Sequence, residues 1–147
     1  MKRRTLLQSI SAAAFVPAGL RMASASGLIG GGVADSNVVY ELRVYHATAG
    51  KLNDLLARFR DHTDKLFARH GMKSVAYWTP VDEPAKSNML IYILQHPSRE
   101  AAVANWKSFQ DDPEWKSVKA KSEEDGSLVD KVDSTYMAMT DFSARLG

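Results

Sequence analysis

Apolar residues change their spacing several times along this chain, and each change marks an element. Residues 38–46 alternate around β-formers, with Val38, Val39, Tyr40, Leu42, Val44 and Tyr45, which predicts a first strand. Leu52, Leu55, Leu56, Phe59, Thr63 and Leu66 then recur every three or four positions. They predict a helix of about 20 residues that begins near 48–51 and stops at His70-Gly71, where glycine suits the left-handed cap. Residues 73–79 predict a second strand ending at Pro80, and the stretch to Ser87, with Pro84 inside it, a loop. Residues 88–95, almost continuously apolar, predict a third strand. Pro97-Ser98 opens a second helix with Ser98 as N-cap and with Ala102, Val103, Trp106 and Phe109 on its buried side. Asp112-Pro113 restarts a short helix closed by Gly126, and Trp106, Phe109 and Trp115 form the clasp that seats both helices. Residues 132–140 predict the last strand. The order β-α-β-β-α-β is an α+β, ferredoxin-like arrangement on a four-stranded antiparallel sheet.

Both helices of such a fold cover one face of the sheet, so the other face should be polar in a monomer. Here Leu90, Tyr92 and Leu94 point to one side and Met89, Ile91 and Ile93 to the other. A sheet apolar on both faces needs a second cover, and the same face of another copy supplies it. The expectation is a homodimer with two sheets face to face, a dimeric α/β barrel.

Composition narrows the chemistry. The 147 residues are 45% hydrophobic and 24% charged with a formal net charge of +2, which fits one domain and gives no basic surface for nucleic acid. The absence of cysteine removes thiol nucleophiles, zinc–thiolate sites and disulfides.

The N-terminus reads as an address. Arg3-Arg4 stand directly before an apolar stretch that runs to about Leu20, and Ala23-Ser24-Ala25 follows, the layout of a secretory signal cleaved after Ala25. The paired arginines with Leu6-Leu7 resemble the twin-arginine class of bacterial export signal. The expected organisation is therefore a signal peptide at 1–25, a glycine-rich flexible linker at 26–37, a domain at 38–143 and a short tail at 144–147. The resemblance implies the twin-arginine export machinery as a partner and a periplasmic or secreted destination. Cleavage removes four of the 19 basic residues and none of the 17 acidic ones, so the mature chain is net negative.

Several motifs in order carry a resemblance: Tyr40-Glu41-Leu42-Arg43-x-Tyr45, Gly50-Lys51-Leu52, Phe59-Arg60-Asp61-His62-Thr63, Leu66-Phe67-x-x-His70-Gly71-Met72, Asn88-x-Leu90-Ile91-Tyr92-Ile93-Leu94, Trp106-x-x-Phe109 and Asp112-Pro113-Glu114-Trp115. Together they resemble a NIPSNAP domain over roughly 38–143. The resemblance implies the dimeric α+β barrel superfamily, which includes cofactor-independent monooxygenases, haem-handling proteins and small-molecule degradation enzymes. It assigns no reaction.

If Tyr40, Leu42 and Val44 face the helices, then Glu41, Arg43 and Tyr45 face the barrel interior. A buried charge must be paired or solvated, so Glu41 and Arg43 either form an ion pair that holds the dimer in register or line a pocket in which Arg43 grips a carboxylate or enolate oxygen. The same alternation puts Trp78, Tyr92, His96 and Tyr136 beside them. An aromatic cavity with one cation and a few hydroxyls is the form of a small-molecule site, and equally of a dimer core. His46, His62, His70 and His96 make no close i,i+3 or i,i+4 pair, so no metal is expected. His70 is explained by the helix dipole. His62, near the buried edge of the long helix, and His96 are the candidates for a general base or an axial haem ligand. No cofactor is otherwise expected. The leading functional expectation is a small apolar or aromatic ligand bound inside the barrel. The alternatives are a cofactor-independent monooxygenase or isomerase, a haem-handling enzyme, and a structural or protein-interaction module with a filled barrel.

Overall fold

A computed structural model describes residues 37–144 and Leu146. The export signal, the cleavage site at Ala25 and all but the last residue of the linker lie outside the described residues. Four strands, β1 (Val39–Ala47), β2 (Lys73–Trp78), β3 (Met89–His96) and β4 (Val129–Met137), form one antiparallel sheet in the order β2-β3-β1-β4. Helices α1 (Leu52–Arg58) and α2 (Asp64–Arg69) are joined by a π-helical segment at Phe59–Thr63. Helices α3 (Arg99–Asp111) and α4 (Pro113–Ser122) follow β3. The expected ferredoxin-like order is the one found. Among the described residues no helix is long and apolar enough to cross a membrane.

Local chemistry explains the boundaries. Ser98 sits in extended conformation and its side chain accepts the Ala101 N–H at 3.1 Å, starting α3. Asp112 caps α4 by accepting the Glu114 N–H at 2.7 Å, with Pro113 in the first turn. Gly71, at φ +73°, turns the chain out of α2. The last strand lies three residues earlier than the expected 132–140. Asp130 and Lys131 read as loop residues, yet they belong to a strand at the sheet edge, where polar side chains reach solvent. Val103, expected on the buried side of α3, is exposed.

The alternation of the sheet is as expected, but its sidedness is reversed on β1. Pairing sets Glu41 opposite Leu94, Arg43 opposite Tyr92 and Tyr45 opposite Leu90, and Leu90, Tyr92, Leu94 and His96 are all buried. Glu41, Arg43 and Tyr45 therefore lie beneath the helices rather than in the space between two sheets. Tyr40, Leu42, Val44, Ile91, Ile93 and Trp78 occupy the open face. The aromatic core sits between sheet and helices, with Phe67 within 6.0 Å, ring centre to ring centre, of Phe59, Tyr92, Trp106 and Phe109. Phe109 also meets Trp115 at 4.5 Å, completing the expected clasp.

Candidate functional site

Two features lie between the sheet and the helices. The first is a polar network centred on Glu41, which is 1% exposed. One carboxylate oxygen accepts from Arg43 Nη1 at 2.8 Å and from Ser134 Oγ at 2.7 Å. The other accepts from Trp106 Nε1 at 2.6 Å and from His96 Nε2 at 3.1 Å. Burial works to raise the pKa of this carboxyl, but the hydrogen bonds from His96, Arg43, Trp106 and Ser134 outweigh it and hold it at about 2. Since an ionised carboxylate only accepts, His96 Nε2 carries a proton, and among the described residues Nδ1 has no partner. The Arg43 guanidinium also lies over the Trp106 ring at 4.4 Å and reaches the Tyr45 hydroxyl at 3.3 Å. Burial pushes the Tyr92 hydroxyl well above its ordinary pKa. Tyr136, opposite Glu41 on β4, is capped by Arg99 at 3.7 Å.

The second feature is a cavity of about 270 Å³. Tyr45, Phe59, Phe67, Phe109 and Trp115 supply aromatic walls, and Arg58, Thr63 and Glu123 supply polar groups. Lys119, Asp130, Lys131 and Val132 stand at its exposed rim. Arg58 Nη1 donates to Glu123 Oε1 at 2.8 Å and to Ser122 Oγ at 3.2 Å, and its guanidinium lies 5.3 Å from the Trp115 ring. The π segment shapes this wall. Its one surplus residue rotates the helix so that Thr63 turns inward and donates to the Arg58 carbonyl at 3.2 Å.

The same rotation corrects the expectation for His62, which is exposed on the π segment instead of lying at the buried edge. His96 is fully buried with Nε2 engaged by Glu41. Among the described residues no histidine lines the cavity. Trp78 is also misplaced by the alternation. A bulge between Ser74 and Ala76 shifts the phase of β2, putting Tyr77 opposite Tyr92 and leaving Trp78, 47% exposed, on the open face. Glu41, Arg43, Tyr92 and His96 thus come together as a sealed cluster, Tyr136 lies at its edge, and Tyr45 alone of the expected residues lines the cavity.

Arg58, Phe59, Thr63, Glu123 and Trp115 were not expected as lining residues. Arg58, the one cation among Leu52, Leu55 and Phe59 at the border of the apolar stripe, was the available signal. His70 likewise does more than meet a helix dipole. Its Nε2 is 2.6 Å from Asp112 and its Nδ1 2.8 Å from Ser108. With Arg69 also on Asp112 at 2.6 Å, the arrangement ties α2 to the α3–α4 junction. His70, Arg69 and the two capped amides hold the Asp112 carboxyl well below its usual range. Among the described residues no three His, Cys, Asp or Glu side chains gather as a metal site.

A sequence profile of the NIPSNAP family matches residues 40–144. The chain belongs to the NIPSNAP family. This NIPSNAP domain is similar in fold to an uncharacterised NIPSNAP-like domain protein from Burkholderia xenovorans, at 14% identity and a TM-score of 0.65, covering 76% of this chain and 93% of that one. A NIPSNAP family protein of unknown function from Agrobacterium tumefaciens shows 21% identity and a TM-score of 0.62, covering 74% and 93%. A dimeric ferredoxin-like protein from an uncultured marine organism follows at 13% identity and a TM-score of 0.54, covering 76% and 96%. No curated protein shows significant similarity to the chain.

Proposed function

We propose that this NIPSNAP domain binds a small apolar or aromatic molecule in the cavity between its sheet and helices. The observation that carries the reading is the cavity of about 270 Å³ walled by five aromatic side chains beside one buried arginine. That volume lies just below the usual range of ligand pockets, roughly 300–1,000 Å³, and so suits only a small molecule. A π segment in the wall is the kind of irregularity that recurs at functional sites. The carboxylate within it favours binding over catalysis. Burial works to raise the Glu123 pKa, but bonds from Lys119 and Arg58 lower it on balance. A carboxylate so engaged is a poor proton acceptor. The test is a melting series with naphthol as probe. Naphthol should raise the Tm of the native chain, and Val132→Trp, which fills the rim, should remove the shift. A shift that survives this substitution overturns the reading.

Two further parts of the proposal rest on separate observations. The open sheet face, with Leu42, Val44, Ile91, Ile93 and Trp78, supports association of two copies face to face. Trp78→Asp should convert a dimer into a monomer in analytical ultracentrifugation; a native chain that sediments as a monomer refutes it. Arg3-Arg4 and Ala23-Ser24-Ala25 support twin-arginine export to the periplasm with cleavage after Ala25. Mass spectrometry of the periplasmic fraction should find a chain beginning at Ser26, and one that keeps Met1 refutes cleavage.

A further inference from the structure

We infer that the ligand of this cavity carries a carboxylate, gripped by the free edge of Arg58. The inference rests on the binding reading above and names the ligand class more closely. Arg58 is 5% exposed, yet among the described residues both of its side-chain hydrogen bonds leave from Nη1. Nε is buried without a partner, and neither of the two bonds uses Nη2. In a guanidinium the Nε–H and Nη2–H point the same way, forming the fork that fits two carboxylate oxygens at once. The Trp115 ring lies 5.3 Å from the guanidinium carbon.

Two energetic arguments favour an anion over a neutral group. A buried donor left unmatched is costly, so a ligand that supplies the acceptor gains what the free protein lacks. The charges lining the cavity are also unbalanced. Arg58, Lys119 and Lys131 face Glu123 and Asp130, an excess of one positive charge that a monocarboxylate cancels. The aromatic walls take the rest of the molecule, so the class is an aromatic or similarly flat apolar monocarboxylic acid. Arg43 does not fill this role: its Nε also lacks a partner, but its two Nη groups are held by Glu41 and Tyr45 and it does not line the cavity.

The probes are naphthoate and its neutral isostere naphthamide, titrated calorimetrically against the full chain at neutral pH. Naphthoate should bind about tenfold more tightly than the amide, the margin of a charge-assisted pair of hydrogen bonds. Arg58→Met, which keeps the stem, should reduce the ratio to about one. Should that variant fail to fold, Glu123→Gln gives an independent reading: it removes the competing carboxylate and should tighten naphthoate binding. Equal affinities in the native chain, or naphthoate binding weakened by Glu123→Gln, overturn the carboxylate inference while leaving the cavity reading standing. Binding of neither probe overturns both.

Discussion

Two arginine–glutamate pairs lie under the helices of this domain, each at 2.8 Å, and they differ in everything but that distance. Glu41 has four side-chain donors on its two oxygens, and Trp106 and His96 close over it. Glu123 shares its charge with exposed Lys119, and its partner Arg58 lines an open cavity with both of its side-chain bonds on Nη1 and its Nε unmatched. In the first pair the carboxylate is fully matched and Arg43, although its Nε also lacks a partner, does not line the cavity, so the pair serves to hold β1, β3, β4 and α3 together. The second is incompletely matched, which leaves it chemistry to offer. A buried ion pair becomes a candidate site when its unmatched donors border a cavity, not through its own geometry.

The comparison can be broken most sharply at Glu41. Glu41→Gln leaves the Arg43 charge buried and uncompensated, and should cost about 3–5 kcal/mol in urea unfolding. Glu123→Gln also uncovers a buried arginine, but its carboxylate is part-exposed and shared with Lys119, so the loss should be smaller, about 2 kcal/mol. Equal losses would mean that the two pairs are equivalent after all.

Acid should separate them next. Glu41 has a folded pKa of about 2, below the ordinary 4.5. Its contribution is therefore fully present above about pH 4.5 and is lost as the pH falls toward 2. Urea midpoints of the native chain should drop through that window, and Glu41→Gln should flatten the drop more than Glu123→Gln does. The smallest effect belongs to Thr63→Val, which keeps the shape of the cavity wall but removes the bond to the Arg58 carbonyl. About 1 kcal/mol is expected by the same assay, and no measurable loss would show that the bond adds nothing to the π segment.

Much of the fold was legible because the long helix, the apolar third strand and the caps at Ser98 and Asp112 each carry a local signal. The face of β1 was not. Glu41-Leu42-Arg43-Val44 alternates cleanly, but alternation cannot say which side meets the helices, and charge on one side argues for solvent. That prior failed because Trp106, His96 and Ser134, distant in sequence, supply the donors that make a buried Glu41 tolerable. Trp78 and His62 failed for a related reason. A bulge in β2 and a π turn in the helix each shift the phase of everything after them, and neither leaves a glycine or proline to betray it. Of the residues around the cavity, Tyr45 was among those expected to line a pocket, though on the other face of the sheet. Arg58 was visible only as a cation on the border of an apolar stripe, and Glu123 only as one of several surface acids.

The π segment at Phe59–Thr63 also acts as a counter in the lineage of this domain. A relative that lacks the surplus residue would be one position shorter between Leu55 and Leu66, and a different side chain would stand where Thr63 meets the cavity. A single-residue gap in that helix, which a comparison of sequences would pass over as drift, would mark a relative whose cavity wall is built differently.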